Sequence, residues 1–115
     1  GEGDSTFSVF THPVEALAAA VAVQQALGAE DWPAGLGLRA RAGVHTGEVE
    51  TIDSKVGGLG VVIGARIGAL AGASEVFVSQ TVKDLVAGSE IEFEHLGARA
   101  LKGVPGEWTL YGVRA

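Results

Sequence analysis

Between residues 59 and 72 a glycine recurs at every fourth position, which restricts how this apolar segment can pack. The pattern predicts a helix with one small half and one bulky half. The small half contains Gly60, Gly64, Gly68, Gly72, Ala65 and Ala69, and the bulky half contains Leu59, Val62, Ile63, Arg66, Ile67 and Leu70. Each interior glycine costs a helix about 1 kcal/mol relative to alanine. We therefore expect close packing against a neighbouring element, the alternative being a glycine-rich surface that the fold tolerates.

The rest of the chain alternates between the periodicities of strands and helices. The predicted elements are a strand over 6–10, a helix over 14–28 with Pro13 in its first turn, a strand over 38–44 continuing through 45–50, a turn over 53–58, the helix over 59–72, a strand over 75–79, a helix over 81–86, a strand over 91–96, and a last strand entered from the turn in LKGVPGEWTLYGV. This order favours a mixed α/β sandwich in which helices cover a sheet.

Length and composition predict one small globular domain. The chain has 115 residues, of which 47% are hydrophobic and 19% charged, so it can build a single core. No stretch reaches the roughly eighteen apolar residues of a membrane span, and the first ten residues lack the basic start of a signal peptide. A cytoplasmic domain without a membrane span is therefore expected.

Charge and cysteine content exclude several kinds of partner. The net charge is -6 and the acidic residues are scattered, so nothing in the sequence favours binding to nucleic acid. A phosphate ligand would need local cations or metal ions to overcome this negative charge. The chain has no cysteine, which excludes disulfides and thiolate metal sites.

Motifs taken one at a time indicate little chemistry. The phosphate loop GxxxxGK[ST] is absent, GGLG before the helix over 59–72 does not match GxGxxG, and no serine has a GxSxG context. His12, His45 and His95 are far apart in sequence and have no Asp or His at metal-ligand spacing, so each is expected to be structural. Asp4 in GEGD could simply cap a hairpin turn. Arg66 is a cation among bulky apolar residues, so it needs a structural salt bridge, a ligand or access to solvent.

Taken together, four segments carry a family resemblance. GEGDSTFSVF, RARAGVHTGEVE, GLGVVIGARIGALAGASEVFVSQTV and LGARALKGVPGEWTLYGV follow the order and spacing of class III adenylyl/guanylyl cyclase catalytic domains, and the chain most resembles the actinobacterial type. The resemblance implies an α+β fold, a ferredoxin-like α/β sandwich whose mixed, mostly antiparallel sheet is covered by helices. It also implies that residues 1–115 are a single, N-terminally truncated catalytic domain lacking the first strand and helix.

The resemblance further implies a reaction, a cofactor and a partner. Domains of this family convert ATP or GTP to the 3′,5′-cyclic nucleotide and pyrophosphate, in intracellular signalling, with two divalent ions, Mg²⁺ or Mn²⁺. Asp4 matches the second of the family's two metal-binding aspartates, and the first belongs to an F-x-D pattern that this sequence does not contain. A head-to-tail homodimer is implied, with Asp4 from one subunit and Arg66 from the other at each site.

Four positions correspond to the family's substrate-binding positions. Two of them carry the family's residue and two carry a different one. Arg66 matches the arginine that stabilises charge on the phosphates in the transition state, and Lys102 in ALKGVPG matches the phosphate-binding lysine. Val62 stands where the family has an asparagine, and valine offers the ribose and the phosphates no donor or acceptor. Lys55 stands at the position of the acidic purine-selecting residue, which is a reversal of charge.

Three functions are therefore compatible with the sequence. The first is an active cyclase, which Asp4, Arg66 and Lys102 favour. The second is a degenerate, inactive module of the same fold that dimerises or senses nucleotides, which Val62 and Lys55 favour. The third is a ferredoxin-like interaction domain that binds no nucleotide, and it predicts that the matched residues do not converge on one cleft.

Overall fold

The structure is a computed structural model that describes residues 8, 10, 12–31, 39–47, 50–52 and 55–114, with the backbone alone for 50–52 and 55–56. Its elements are α1 (Pro13–Ala29), β1 (Ala42–Val44), β2 (Glu50–Ile52), β3 (Lys55–Gly57), α2 (Leu59–Leu70), β4 (Val76–Ser79), α3 (Gln80–Leu85), β5 (Glu92–Ala100) and β6 (Glu107–Arg114). None of the helices within these ranges is long and apolar enough to cross a membrane.

Four strands form a mixed sheet in the order β1-β4-β6-β5. The pair β1 and β4 is parallel, with Gly43 opposite Phe77, whereas β4 with β6 and β6 with β5 are antiparallel. The short strands β2 and β3 form a separate antiparallel hairpin. The predicted α+β fold with a mixed, mostly antiparallel sheet is therefore confirmed.

Helices cover both faces of this sheet, and the central strand β4 is therefore buried on both sides. Phe77 faces α2, and its neighbours Val76 and Val78 face α1 and α3. The core on the α2 face consists of Ile63, Ile67, Ala71, Phe77, Leu101, Val104 and Leu110, and the core on the other face consists of Leu17, Val44, Val76, Val78, Val82 and Val86. Burial of these apolar side chains is the main stabilising term for such a domain.

Close packing is confirmed for Gly64 and Gly68 of the small half of α2, whereas Ala65 and Ala69 of the same half are exposed. A side chain at Gly43 of β1 would place its Cβ 2.6 Å from the carbonyl oxygen of Gly64 and 2.7 Å from the Cα of Gly68, so strand and helix backbones are in direct contact. The bulky half divides into two rows. Ile63 and Ile67 are buried against the sheet, while the row containing Arg66 is exposed.

The strand predicted over 38–44 and onward to residue 50 is wrong in extent. Arg39 to Arg41 lie outside any strand, and β1 has three residues because its parallel partner offers Val76 to Val78 before α3 begins at Gln80. After β1 the chain leaves the sheet. Part of the predicted turn over 53–58 is also wrong, because Lys55–Gly57 pairs as β3 with β2. The strand predicted over 6–10 lies mostly outside the described residues.

A glutamine on α1 connects this helix to the ends of two strands. The Gln24 side-chain amide donates to the carbonyl oxygen of Ala40 at 3.0 Å and to that of Glu75 at 3.2 Å. These carbonyls precede β1 and β4 in the chain, so one side chain joins three segments. No pattern in the sequence indicated this contact, since Gln24 and Gln25 are equivalent in composition and only the helix rotation distinguishes them.

We predict that Gly43→Ala destabilises the domain by about 1–3 kcal/mol, because the added methyl group forces α2 away from the sheet. Urea unfolding followed by circular dichroism measures the change. Gly28→Ala is the matched control, since a Cβ at this position of α1 meets nothing within 4 Å. It should be neutral or stabilising by up to about 1 kcal/mol. Native stability of Gly43→Ala would contradict the close approach.

Candidate functional site

Arg66 lies on the exposed row of α2, and its side chain reaches the turn between β5 and β6. Its Nε donates a hydrogen bond to the backbone carbonyl oxygen of Lys102 at 2.9 Å. No carboxylate among the described side chains lies within ion-pair distance of Arg66. Because Nε makes the bond, neither terminal nitrogen of the guanidinium is engaged by a residue that the structure describes, and both can donate to another acceptor. The sequence left open a structural salt bridge, a ligand or access to solvent for Arg66. Among the described residues, none forms a salt bridge with it.

Lys102 lies at the start of a turn that the core holds in place. Leu101 and Val104, on either side of it, are buried, and the Val104 amide donates to the carbonyl oxygen of Leu101 at 3.0 Å. Gly103 and Gly106 have φ values of 79° and 82°, a region that favours glycine. The Lys102 side chain is exposed. The turn therefore fixes the backbone of Lys102, and the side chain extends from it into solvent.

Together, Arg66 and Lys102 form a pair of cations, one from a helix and one from a turn, joined by a backbone hydrogen bond. Such a pair favours an anion with several oxygens, because guanidinium binds two oxygens in a fork and ammonium acts as a compact charge.

Val62 lies one helical turn before Arg66 on the same row of α2. It is 40% exposed, and Leu59 and Leu70 on this row are 56% and 41% exposed. We call these three side chains the apolar row. The apolar row has no polar side-chain atom, so on this exposed side of α2 polar contacts with a substrate fall to Arg66.

Two of the matched positions are not tested by side-chain geometry. Asp4 lies outside the described residues. Lys55 begins β3, where its backbone pairs with Ile52, and its side chain is outside the described set. Of the predicted site residues, the structure thus brings Arg66 and Lys102 together and places Val62 on the same helix as Arg66.

A divalent metal centre needs several oxygen ligands, usually carboxylates. Within residues 12–31, 39–47 and 57–114, no three histidine or acidic side chains cluster closely enough to hold an ion. The described residues alone therefore do not fit the two-metal centre that the resemblance implies.

A polar cluster that sequence reasoning did not assign to the site lies beneath α2. His45 Nδ1 is 2.9 Å from Ser79 Oγ, and Ser79 is completely buried at the end of β4, where it also accepts from the Val82 amide at 3.4 Å. The His45 ring meets the Trp108 ring edge to face, with centroids 5.7 Å apart. Burial lowers the pKa of His45 below its ordinary value of 6.5, so the ring is neutral at neutral pH.

The sequence held a weak signal for this cluster. His45 immediately follows β1 and Ser79 ends the neighbouring parallel strand, so both lie at the same end of the sheet. Only the register of β1 against β4 brings the two side chains to the same face.

Comparison with known proteins gives significant similarity in sequence. The chain is 34% identical over 105 residues to a Rhizobium meliloti protein named "Putative adenylate cyclase 3", covering 89% of this chain and 18% of that protein. It is 34% identical over 113 residues to the uncharacterized protein Rv0891c of Mycobacterium tuberculosis, covering 95% of this chain and 37% of that protein. The chain thus spans less than two fifths of the length of these relatives. No family model matches the chain.

Solved structures show the same fold. An adenylate/guanylate cyclase/hydrolase from Silicibacter pomeroyi superposes with a TM-score of 0.81 at 24% identity, covering 92% of this chain and 64% of the other. The guanylate cyclase domain of RhGC from Catenaria anguillulae gives a TM-score of 0.74 at 19% identity, covering 96% and 64%. Because the matched residues extend over nearly the whole chain, the chain has the fold of adenylate/guanylate cyclase catalytic domains and resembles them in sequence.

Proposed function

We propose that this chain takes part in converting ATP or GTP to the 3′,5′-cyclic nucleotide and pyrophosphate, with Arg66 and Lys102 binding the phosphates. The observation that carries this proposal is the hydrogen bond from Arg66 Nε to the Lys102 carbonyl, which places the Arg66 guanidinium against the backbone of a second cationic residue from a separate element. A triphosphate is the multiply charged anion that such a pair suits, and it needs this local positive charge in a chain of net charge -6.

The proposed reaction is an in-line displacement at the α-phosphorus. The ribose 3′-hydroxyl gives up its proton to water as its oxygen forms a bond to this phosphorus, the bond to the bridging oxygen of the β-phosphate breaks, and pyrophosphate leaves with the electron pair. Negative charge grows on the bridging and terminal oxygens. Arg66 would stabilise this charge with its terminal nitrogens, and Lys102 would bind the phosphates and orient them for the attack.

The proposed reaction uses Mg²⁺ or Mn²⁺, and Asp4 is the residue that we propose as a ligand of this ion. When bound, such an ion neutralises phosphate charge and lowers the pKa of an attacking hydroxyl. The described residues supply no cluster that completes this centre. In keeping with the unmatched F-x-D pattern, we take residues 1–115 as one partial catalytic domain.

A head-to-tail homodimer would complete each site, with Asp4 of one protomer facing Arg66 of the other. The apolar row supports this assembly, because Leu59, Val62 and Leu70 flank Arg66 with exposed side chains that a second protomer would remove from water. Among similar folds, a guanylyl cyclase domain from Blastocladiella emersonii is described as dimeric, and adenylate cyclases from Trypanosoma brucei are described in their monomeric state.

The proposed substrate can be either ATP or GTP. One similar structure, the catalytic core of a rhodopsin-guanylyl cyclase with converted specificity, is a complex with ATPαS, and the Catenaria anguillulae domain is a complex with GTP. Lys55 is the position in this chain that we assign to purine selection. A cytoplasmic location is proposed with the signalling role.

A degenerate module that binds nucleotide without turning it over is the second candidate. Val62 favours it, because this exposed position next to Arg66 offers no hydrogen bond to a ribose or a phosphate. Removing one such contact from a transition state typically costs on the order of a hundredfold in rate. Turnover measurements on the variants below separate the two candidates.

We predict that Arg66→Ala lowers kcat for cyclic nucleotide formation by about a hundredfold or more, with a smaller effect on KM, since the contact strengthens in the transition state. Cyclic product formed from ATP or GTP with Mn²⁺ is the measurement. Arg99→Ala is the matched control, because Arg99 is an exposed arginine of β5 whose Nη2 donates to the nearby Leu96 carbonyl at 3.5 Å. An unchanged kcat for Arg66→Ala would refute the assigned role.

Mixing two inactive variants tests the shared site. Asp4→Ala and Arg66→Ala homodimers each lack one group at both sites, but a mixed dimer keeps one site with both groups. Random exchange should therefore restore about a quarter of the native activity. Equal mixing with exchange verified by mass measurement is the experiment. If the mixture stays as inactive as its components, Asp4 and Arg66 do not act across a dimer.

We expect Val62→Asn to raise kcat, by up to about a hundredfold, if the residue faces the ribose and phosphates. The substitution is exposed, so its cost to the helix is limited to roughly 0.7 kcal/mol of propensity. Val61→Asn serves as control for the change in propensity, since Val61 lies on a different face of α2. Equal rates for native protein and Val62→Asn would favour the degenerate module.

A further inference from the structure

His45 lies where three elements that carry or support the cation pair meet. It follows β1 and faces α2, because a Cβ added at Gly64 would lie 3.9 Å from the Cβ of His45. On the sheet, Ser79 fixes one edge of the imidazole through the 2.9 Å contact with Nδ1. Gly47 passes the other edge so closely that an added Cβ would lie 3.3 Å from Nε2. The ring is thus fixed on several sides.

Trp108 connects this ring to the turn that carries Lys102. Its indole stands perpendicular to the imidazole, at an interplanar angle of 87°, and its Nε1 donates to the carbonyl oxygen of Pro105 at 3.2 Å. Pro105 belongs to the same turn as Lys102. Contacts therefore run from α2 through His45 and Trp108 to the turn, and return to α2 through the Arg66 hydrogen bond.

We infer that His45 is a positioning residue for Arg66 and Lys102. It holds α2 and the Lys102 turn at the separation that lets these two side chains bind the same polyphosphate. This inference rests on the proposed function. His45 acts through Trp108 and α2 and does not itself touch the substrate. The relevant state is the neutral ring, which can share one hydrogen bond with Ser79 without needing a counter-charge.

Protonation of His45 would disturb this arrangement. The groups that face the ring from the described parts of α2, β4 and β6 are glycine backbone, the Ser79 hydroxyl and the Trp108 indole, and none carries a charge. The side chains of Glu48 and Glu50 are outside the described set. A cation placed here gains no described partner, so its burial is unfavourable. Because the folded-state pKa is lowered, this arrangement is intact above about pH 6.5 and is lost as the pH falls.

Isothermal titration with inorganic tripolyphosphate tests the inference without requiring turnover. At about pH 7.5, His45→Ala should raise Kd roughly fivefold, within the range of couplings measured for residues that act through others. His45→Asn should raise Kd less than His45→Ala, because the Asn amide can replace Nδ1 as the partner of Ser79 although the ring contact with Trp108 is lost. His95→Ala is the matched control, since His95 is exposed and packs on Tyr111, whose side chain lies on the opposite face of the sheet.

The pH dependence distinguishes positioning from a general loss of stability. As the pH is lowered from about 7.5 to the lowest value at which circular dichroism shows both proteins folded, native Kd should rise more than that of His45→Asn, because only the native ring takes up a proton. This comparison also decides the matter if His45→Ala does not fold. A ratio of the two Kd values that is constant with pH would overturn the inference, and so would native binding by a folded His45→Ala.

Arg66→Ala separates failure of this inference from failure of the proposed function. If native protein and Arg66→Ala bind tripolyphosphate equally, or if neither binds it, the proposed phosphate site is wrong and the role of His45 falls with it. If Arg66→Ala binds more weakly than native protein while His45→Ala does not, the phosphate site stands and His45 is not its positioning residue.

Discussion

The contact between Gly43 and the backbone of α2 is the constraint on which the other features of the site depend. Strand and helix approach so closely that no side chain fits between them, and this approach brings Ile63 and Ile67 into the core. Burial of these isoleucines offsets the helix propensity lost at the glycines. The same rotation of the helix turns the row with Arg66 outward, so packing inside the domain determines which residues a ligand or a second protomer can meet.

The exposed face of α2 and the turn between β5 and β6 form one unit. The turn is anchored by Leu101 and Val104 in the core that also contains Ile63 and Ile67, and the Arg66 hydrogen bond closes the gap at the surface. Rigid placement of this kind is what phosphoryl chemistry needs, since its rate depends mainly on position and on stabilised charge. His45 and Trp108 add support from beneath the helix.

Much of the fold could be predicted from local patterns. Pro13 at the start of α1 and the apolar periodicity of α2 predicted both long helices to within two residues at each end. The strand after residue 38 was overextended, because its length depends on its partner β4, which ends where Ser79 caps α3. Alternation along one segment contains no information about how many residues the neighbouring strand can pair with.

For the site, the sequence by itself determined which residues carry charge and which cannot, and through the family resemblance it indicated Arg66, Lys102 and the valine at position 62. Only the tertiary structure decided that Arg66 bonds to the Lys102 carbonyl, that Gln24 joins three segments, and that His45 meets Ser79 and Trp108. The reason is physical: each of these contacts joins residues at least 16 positions apart, and the register and rotation that bring them together are set by packing of the whole core.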